Sequence, residues 1–275
     1  MDIGNPIDFT GRAVLVTGGT KGIGAAIAGA FLAAGADVLV CGRSKPPEPP
    51  GSGPRRAHFR AADVRDPAAA AALVDAAVER FGRLDVLVNN AGGSPDADAA
   101  TMSPRFVQKV VALNLLAPFH LAQAANRVMR EQPGGGSIIN IGSVSAHTPQ
   151  PGTAAYTAAK AGLLALTRAL ALEWAPRVRV NHITAGPVRT GSAASVYGEG
   201  GADAVAGVIP MRRMAEPDDV ARACLYLAGG LAPYVNGADL AVHGGGEAPA
   251  RFLAVRELRD GSPGAEPDDR SLSSP

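Results

Sequence analysis

Apolar residues along this chain come in short solid runs set between longer mixed segments. Arg12 to Thr17 (RAVLVT), Val38 to Cys41 and Leu84 to Val88 are such runs, and the more mixed Ser137 to Ile141, Val178 to Ile183 and the short Leu240 to His243 predict further strands. A strand with one wet face would alternate, so unbroken apolar runs predict strands covered on both faces. Residues 57–62 predict one more strand, third in order. Between the runs, residues 22–34 (GIGAAIAGAFLAA) predict a helix ended by Gly35. Pro67 to Arg80 predicts another, with Leu73, Val74, Ala77 and Val78 as its apolar face, Asp66 as N-cap and Pro67 at the first helical position. Helices are also predicted near 104–131, 153–175 and 217–229. Strands alternating with helices imply right-handed crossovers. The predicted fold is therefore α/β, a single-domain, doubly wound parallel sheet of about seven strands with helices on both faces.

One crossover breaks the pattern. Residues 45–56 (KPPEPPGSGPRR) hold five prolines, each lacking an amide donor, so a loop rather than a helix is expected there. No internal repeat is present, and the composition does not shift before residue 250. The domain is expected over 1–255, and 256–275, polar and rich in Pro, Gly and Ser, is expected to be a tail.

Composition narrows the function. The 275 residues are 47% hydrophobic and 19% charged with a net charge of +1, so no strong field draws nucleic acid or an anionic membrane. The Met1-to-Pro6 start lacks the features of a signal peptide, and the longest apolar stretch, Ala154 to Ala175, carries Lys160, Arg168 and Glu173, unlike a membrane span. Two distant cysteines, Cys41 and Cys224, make no disulfide framework, and a reduced cytoplasmic setting is expected. No pair among the five histidines has metal-ligand spacing, so no metal site is expected.

The candidate chemistry lies at the strand exits. Gly18, Gly22 and Gly24, within Thr17-Gly18-Gly19-Thr20-Lys21-Gly22-Ile23-Gly24, follow the first strand and open the first helix. Glycines let backbone approach a pyrophosphate, and the helix start offers free amides and a positive dipole end. Folds that prefer NAD place an acidic residue after the second strand. Here Gly42 and Arg43 stand there, and an arginine can pair bidentately with a 2′-phosphate. With Lys21 as a second cation, NADP(H) is favoured and NAD(H) is the alternative.

Tyr156 and Lys160 are four apart in a predicted helix and so share a face. A free tyrosine ionises near pH 10, and a close ammonium in a dry site can lower that by several units, about 4 kcal/mol for three of them. Ser143 follows the fifth strand, at the carboxyl end of the sheet, where its hydroxyl could hydrogen-bond a substrate oxygen as charge develops.

Together these residues resemble the short-chain dehydrogenase/reductase family, in the subset with subunits near 250 residues. The match runs over about residues 8–250 and includes Asp63-Val64, Asn89-Asn90-Ala91-Gly92, Asn114, and Gly186-Pro187-Val188-Arg189-Thr190. The resemblance implies a Rossmann-type domain that interconverts a carbonyl and a secondary alcohol. It implies that Thr20, Lys21 and Ile23 belong to the pyrophosphate turn, that Asp63 and Val64 contact adenine, and that Asn90, Ala91 and Gly92 line the cofactor channel. Val188 and Thr190 would contact the nicotinamide amide. Tyr156 would be the general acid/base, Ser143 would steady the substrate oxygen, Lys160 would also hold the nicotinamide ribose, and Asn114 would hold a water in a proton relay. It also implies a mobile lid at about 190–212 and a homotetramer or homodimer formed through the 154–175 helix, which is apolar on more than one face.

The departures from the family pattern are Ala185-Gly186 where Pro-Gly is usual, His243-Gly244-Gly245 where Asp-Gly-Gly is usual, and the proline-rich crossover. His243 reads as structural. His147, Gln150, Ser94 and Tyr197 lie near the catalytic loops without a firm role. Arg127 and Arg130 could attract an acyl-carrier protein, but a solvated helix face is the better reading. The alternatives are an NAD-dependent alcohol dehydrogenase, a 3-oxoacyl-[acyl-carrier-protein] reductase, and a non-catalytic dinucleotide sensor, which would have no need of Ser143, Tyr156 and Lys160 together.

Overall fold

A computed structural model describes residues 7–191, 198 and 200–246. Tyr197, the start to Pro6, the predicted tail from 256 and part of the predicted lid lie outside the described residues. The predicted strands form, with edges moved by one or two residues, at β1 (Ala13–Thr17), β2 (Asp37–Gly42), β5 (His58–Ala61), β6 (Val86–Asn89), β7 (Gly136–Ile141), β8 (Val178–Ala185) and β9 (Asp239–Val242). They make one seven-stranded parallel sheet in the order β5-β2-β1-β6-β7-β8-β9. The direction of strand addition reverses between β1 and β6, and a crevice opens there at the carboxyl ends of the strands.

The solid apolar runs have the expected cause. Every residue of β1 and β6 is buried. Val14, Val16, Val38, Val40, Val86 and Val88 pack on one side with Ile27 and Phe31 of α1 (Gly22–Ala33) and with Val220, Cys224 and Leu227 of the last helix. Leu15, Leu39 and Leu87 pack on the other with α2 (Pro67–Phe81), α4 (Ala117–Met129) and α5 (Ala154–Trp174). Asp66 caps α2 as predicted, accepting from the Ala68 amide at 3.0 Å.

Three features differ from the sequence reading. The proline-rich crossover is loop, as expected, but it also holds a two-residue antiparallel hairpin, β3 (Gly51–Ser52) with β4 (Arg55–Arg56). The helix expected over 104–131 is α3 (Pro104–Val111), a π-helical turn (Ala112–Leu116) and then α4. Within the expected lid, α6 (Gly201–Val208) forms, starting after Gly200 in the left-handed region at φ +75°. Alanines at 202, 204 and 206 make this segment a better helix former than its glycines suggest. The last helix, α7 (Pro217–Ala228), opens with a reciprocal Glu216–Asp219 capping box.

Candidate active site

The crevice between β1 and β6 is built first from backbone. The Thr17 hydroxyl accepts from the amides of Asn90 and Ala91, both at 3.0 Å, and the Asn90 amide group donates back to the carbonyls of Thr17 at 2.9 Å and Gly18 at 3.2 Å. These bonds staple the two strand exits together. Gly24 lies so close beneath the turn that a Cβ there would sit 2.3 Å from the Gly18 carbonyl oxygen. The turn thus closes only around glycine and lines a cavity of about 980 Å³.

That cavity gathers most of the predicted cofactor residues. Gly18, Thr20, Lys21, Gly22, Ile23 and Gly24 line one wall, Arg43, Asp63 and Val64 the far end, and Asn90, Ala91, Gly92 and Thr190 the inner end. Val188, Tyr156 and Lys160 are not in this lining; the Val188 backbone bridges to Ala215 and its side chain packs against the core. Two further cations also line the far end, Lys45 and Arg65. Arg65 reaches the Asp63 carboxylate through Nε at 2.9 Å and its own amide at 3.1 Å. The Arg65 side-chain bond chiefly, working against burial, and then the charges of Arg65 and Arg43 hold the Asp63 carboxyl down at about 2. The far end of the cavity is therefore a paired carboxylate among cations. Arg65 was missed by sequence reasoning, although it sits two residues from Asp63.

The catalytic candidates come from the next three elements. Lys160 on α5 is buried, and its ammonium donates to the Ile141 carbonyl at 2.7 Å and lies 5.7 Å from the centre of the Tyr156 ring. Burial lowers Lys160 from 10.5 to about 8. Gly92 fits between the two halves of the site, since a Cβ there would stand 2.9 Å from Asn114 Oδ1 and 3.2 Å from Lys160 Nζ.

The π turn carries Asn114 fully buried. Its Nδ2 donates to the carbonyls of Val110 at 2.9 Å and Gly93 at 3.0 Å, and its Oδ1 accepts from the Gly93 amide at 2.9 Å. The side chain thus locks the glycine turn after β6 to the helix, and one Oδ1 lone pair remains for a water.

Ser143 leaves β7 in an extended conformation and caps a 3₁₀ turn (Val144–Ala146), where its hydroxyl donates to the Ser145 hydroxyl and accepts from the Ser145 amide, both at 3.2 Å. Beneath α5 a buried polar rail runs from Asn89 Nδ2 to Asn140 Oδ1 at 2.9 Å, from Asn140 Nδ2 to Thr167 Oγ1 at 2.9 Å, and from Thr167 to the Leu163 carbonyl at 2.8 Å. A sliding or rotating α5 would break those bonds inside the core, so the rail fixes the helix that carries Tyr156 and Lys160.

Residues 18–247 match the family model described as enoyl-(acyl carrier protein) reductase. The chain belongs to the short-chain dehydrogenase/reductase family. It is 38% identical to the D-threitol dehydrogenase of Mycolicibacterium smegmatis over 86% of this chain and 92% of that protein. It is 35% identical to the 3alpha-hydroxysteroid dehydrogenase of Mediterraneibacter gnavus, over 85% of this chain and 96% of that one. Among solved structures, the aldohexose dehydrogenase of Thermoplasma acidophilum superposes with a TM-score of 0.80 at 27% identity, covering 95% of this chain and 98% of that one. The protein is an oxidoreductase of alcohol and carbonyl groups that works with NAD(P). The glycine turn, open only because no Cβ fills it, fits that group, and so do the cations at the far end of the cavity.

Other predicted groups fall outside the cavity. Arg127 pairs with Asp75 at 2.6 Å and Arg130 with Glu131 at 2.9 Å, as on a solvated helix face. Cys41 and Cys224 are free and buried, and burial raises both thiols. Among the described residues no helix is long and apolar enough to cross a membrane.

Proposed function

We propose that this enzyme interconverts a carbonyl and a secondary alcohol with NADP(H) preferred over NAD(H), and that Tyr156 is its general acid/base. The observation that carries the reading is the buried Lys160 ammonium, 5.7 Å from the centre of the Tyr156 ring and packed behind Gly92, which lines the glycine-walled cavity. When bound, the nicotinamide supplies or takes up the hydride. In the reducing direction Tyr156 gives a proton to the substrate oxygen, and the adjacent Lys160 charge stabilises the phenolate left behind. Ser143 donates to the same oxygen as negative charge grows on it. Protons return through Lys160 and a water at Asn114.

The preference for the phosphorylated cofactor is supported by Arg43, Lys45 and Lys21 around the ribose end, with the one carboxylate there, Asp63, already paired to Arg65. A 2′-phosphate would meet exposed cations and no free acid. Titration of the protein with NADPH and NADH, followed by cofactor fluorescence, tests this; NADPH is expected to bind at least tenfold tighter. Equal affinities would sink the preference and leave the NAD-dependent reading. Screening ketones, quinones and 3-oxoacyl thioesters for NADPH oxidation then finds the substrate class.

The enzyme is a homodimer or homotetramer joined through α5. Ala154, Ala158, Ala165 and Ala169 make an exposed row of small residues on that helix, ending at Leu172, which is 84% exposed, and Leu116, at the end of the π turn that packs on α5, is 43% exposed. A second α5 could approach closely over such a row and cover both leucines. Light scattering at micromolar concentration is expected to give a multiple of 27.8 kDa; a monomer contradicts it.

A further inference from the structure

The Ser143 loop is held from behind by a carboxylate that lies far away in sequence. Asp239, the first residue of β9, is paired in register with His182 of β8. Its Oδ1 lies 2.7 Å from His182 Nδ1 and 2.7 Å from the Thr184 hydroxyl, and its Oδ2 lies 2.8 Å from His147 Nε2. Both oxygens are therefore engaged, on three side chains from two elements.

Each imidazole contacts one end of the loop. A carboxylate only accepts, so Nδ1 of His182 carries the proton, and the opposite ring edge faces Gly142. A Cβ on Gly142 would lie 2.0 Å from both Cε1 and Nε2 of His182. The ring thus abuts the Gly142 backbone, while the Gly142 amide donates to the Ile183 carbonyl at 2.7 Å. Gly142 immediately precedes Ser143. At the other end, His147 closes the 3₁₀ turn with its amide on the Val144 carbonyl at 2.9 Å and sends its side chain back to Asp239.

We propose that Asp239 is a positioning residue for Ser143, clasping the segment 142–147 at both ends through His182 and His147. The proposal rests on the reading of Ser143 as the donor to the substrate oxygen. Two 3.2 Å bonds to Ser145 hold the Ser143 hydroxyl within its own turn, so the backbone on either side helps set where that hydroxyl points. Burial pushes Asp239 up, but hydrogen bonds from His182 and Thr184, the His182 charge and the His147 bond outweigh it and hold the carboxyl well below the usual range. The clasp thus keeps its charge at neutral pH.

The test uses the full chain with Asp239→Ala, Asp239→Asn and His147→Ala, each alone and combined with Ser143→Ala. Misplacing a donor by a fraction of an ångström predicts a kcat loss of about tenfold or more for Asp239→Ala, less for Asp239→Asn, which keeps an acceptor, and least for His147→Ala. The dissociation constant for NADPH should stay within about twofold, since the glycine turn is untouched. In the Ser143→Ala background the Asp239 effect should vanish; full additivity would show that Asp239 acts only on stability and would overturn the proposal. Amide hydrogen exchange should rise over 142–147 and not over 18–24; unchanged exchange at 142–147 also rejects it. Should the Asp239 variants fail to fold, His147→Ala decides, because His147 is half-exposed and outside the core; unchanged kcat and exchange in that variant reject the clasp. A parent enzyme that turns over no carbonyl or alcohol sinks the proposed reaction, while the exchange comparison still judges the clasp.

Discussion

The two halves of the site use different materials. On the β1–β6 side the cavity is shaped by backbone: Gly24 under the Gly18 carbonyl, the stapled exits of β1 and β6, and cations that stand exposed at the rim. On the β7–β8–α5 side Lys160 and the side chains that support the site are buried, with Lys160, Asn140, Thr167, His182 and Thr184 all 4% exposed or less. The first half needs close approach to a large anionic group, and backbone does that at little electrostatic cost. The second half needs a charge where water cannot screen it, and burying that charge is unfavourable until a partner arrives. Binding and chemistry are therefore separable, and substitutions in one half should leave the function of the other nearly intact.

The largest test of that separation is Tyr156→Phe, which should lower kcat by about 10²–10⁴-fold while the NADPH dissociation constant stays the same. Steady-state kinetics beside cofactor fluorescence checks it, and retained turnover would remove Tyr156 from its role. Next comes Lys160. Its ammonium ionises at about 8 in the fold against 10.5 when unfolded. Between those values the unfolded chain holds more protons, so this group's contribution to stability rises with pH; below 8 the full penalty of about 3 kcal/mol is present. Lys160→Met removes the penalty and its pH dependence. The stability of the variant relative to the parent should therefore fall by about 3 kcal/mol between pH 7 and pH 10.5, read by urea unfolding of the cofactor-free proteins. A constant difference would mean that the charge is not buried.

A smaller effect is expected on the binding side. Arg43→Ala should weaken NADPH by about 10–100-fold, the worth of one or two charge-assisted bonds, with NADH and kcat unaffected. Equal weakening of both cofactors would place Arg43 away from the 2′-phosphate. The smallest concerns neither half: Arg127→Ala breaks an exposed pair with Asp75 and should change stability by about 0.5 kcal/mol or less, and kcat not at all. A large loss of activity there would make the α4 surface part of a substrate-docking face.

The same division explains what could be read in advance. That residues 17–24, 63–64 and 90–92 meet at one crevice was legible because each segment is placed by the strand just before it. Tyr156 and Lys160 were legible because helix geometry alone puts positions four apart on one face. A kink with Asn114 bonding backbone was one sequence reading of that position, but no proline or glycine marks the bounds of the π turn at Ala112–Leu116, and its partner Gly93 is distant in sequence. Arg65 was passed over because a lone surface arginine has no periodicity, and its meaning depends on how the loop after β5 folds its side chain back onto Asp63. Asp239 was invisible because its bonds to His182 and His147 span 57 and 92 positions.

By itself the sequence determined the parallel sheet, the glycine turn at its first exit and a tyrosine–lysine pair one helical turn apart. All of these follow from local periodicity and from what a backbone can do without a Cβ. Only the tertiary structure decided that Lys160 loses its water, that Asn140 and Thr167 fix α5 against the sheet, and that Asp239 reaches both ends of the Ser143 loop. Those are consequences of burial and long-range register, and neither exists until the β-strands lie side by side.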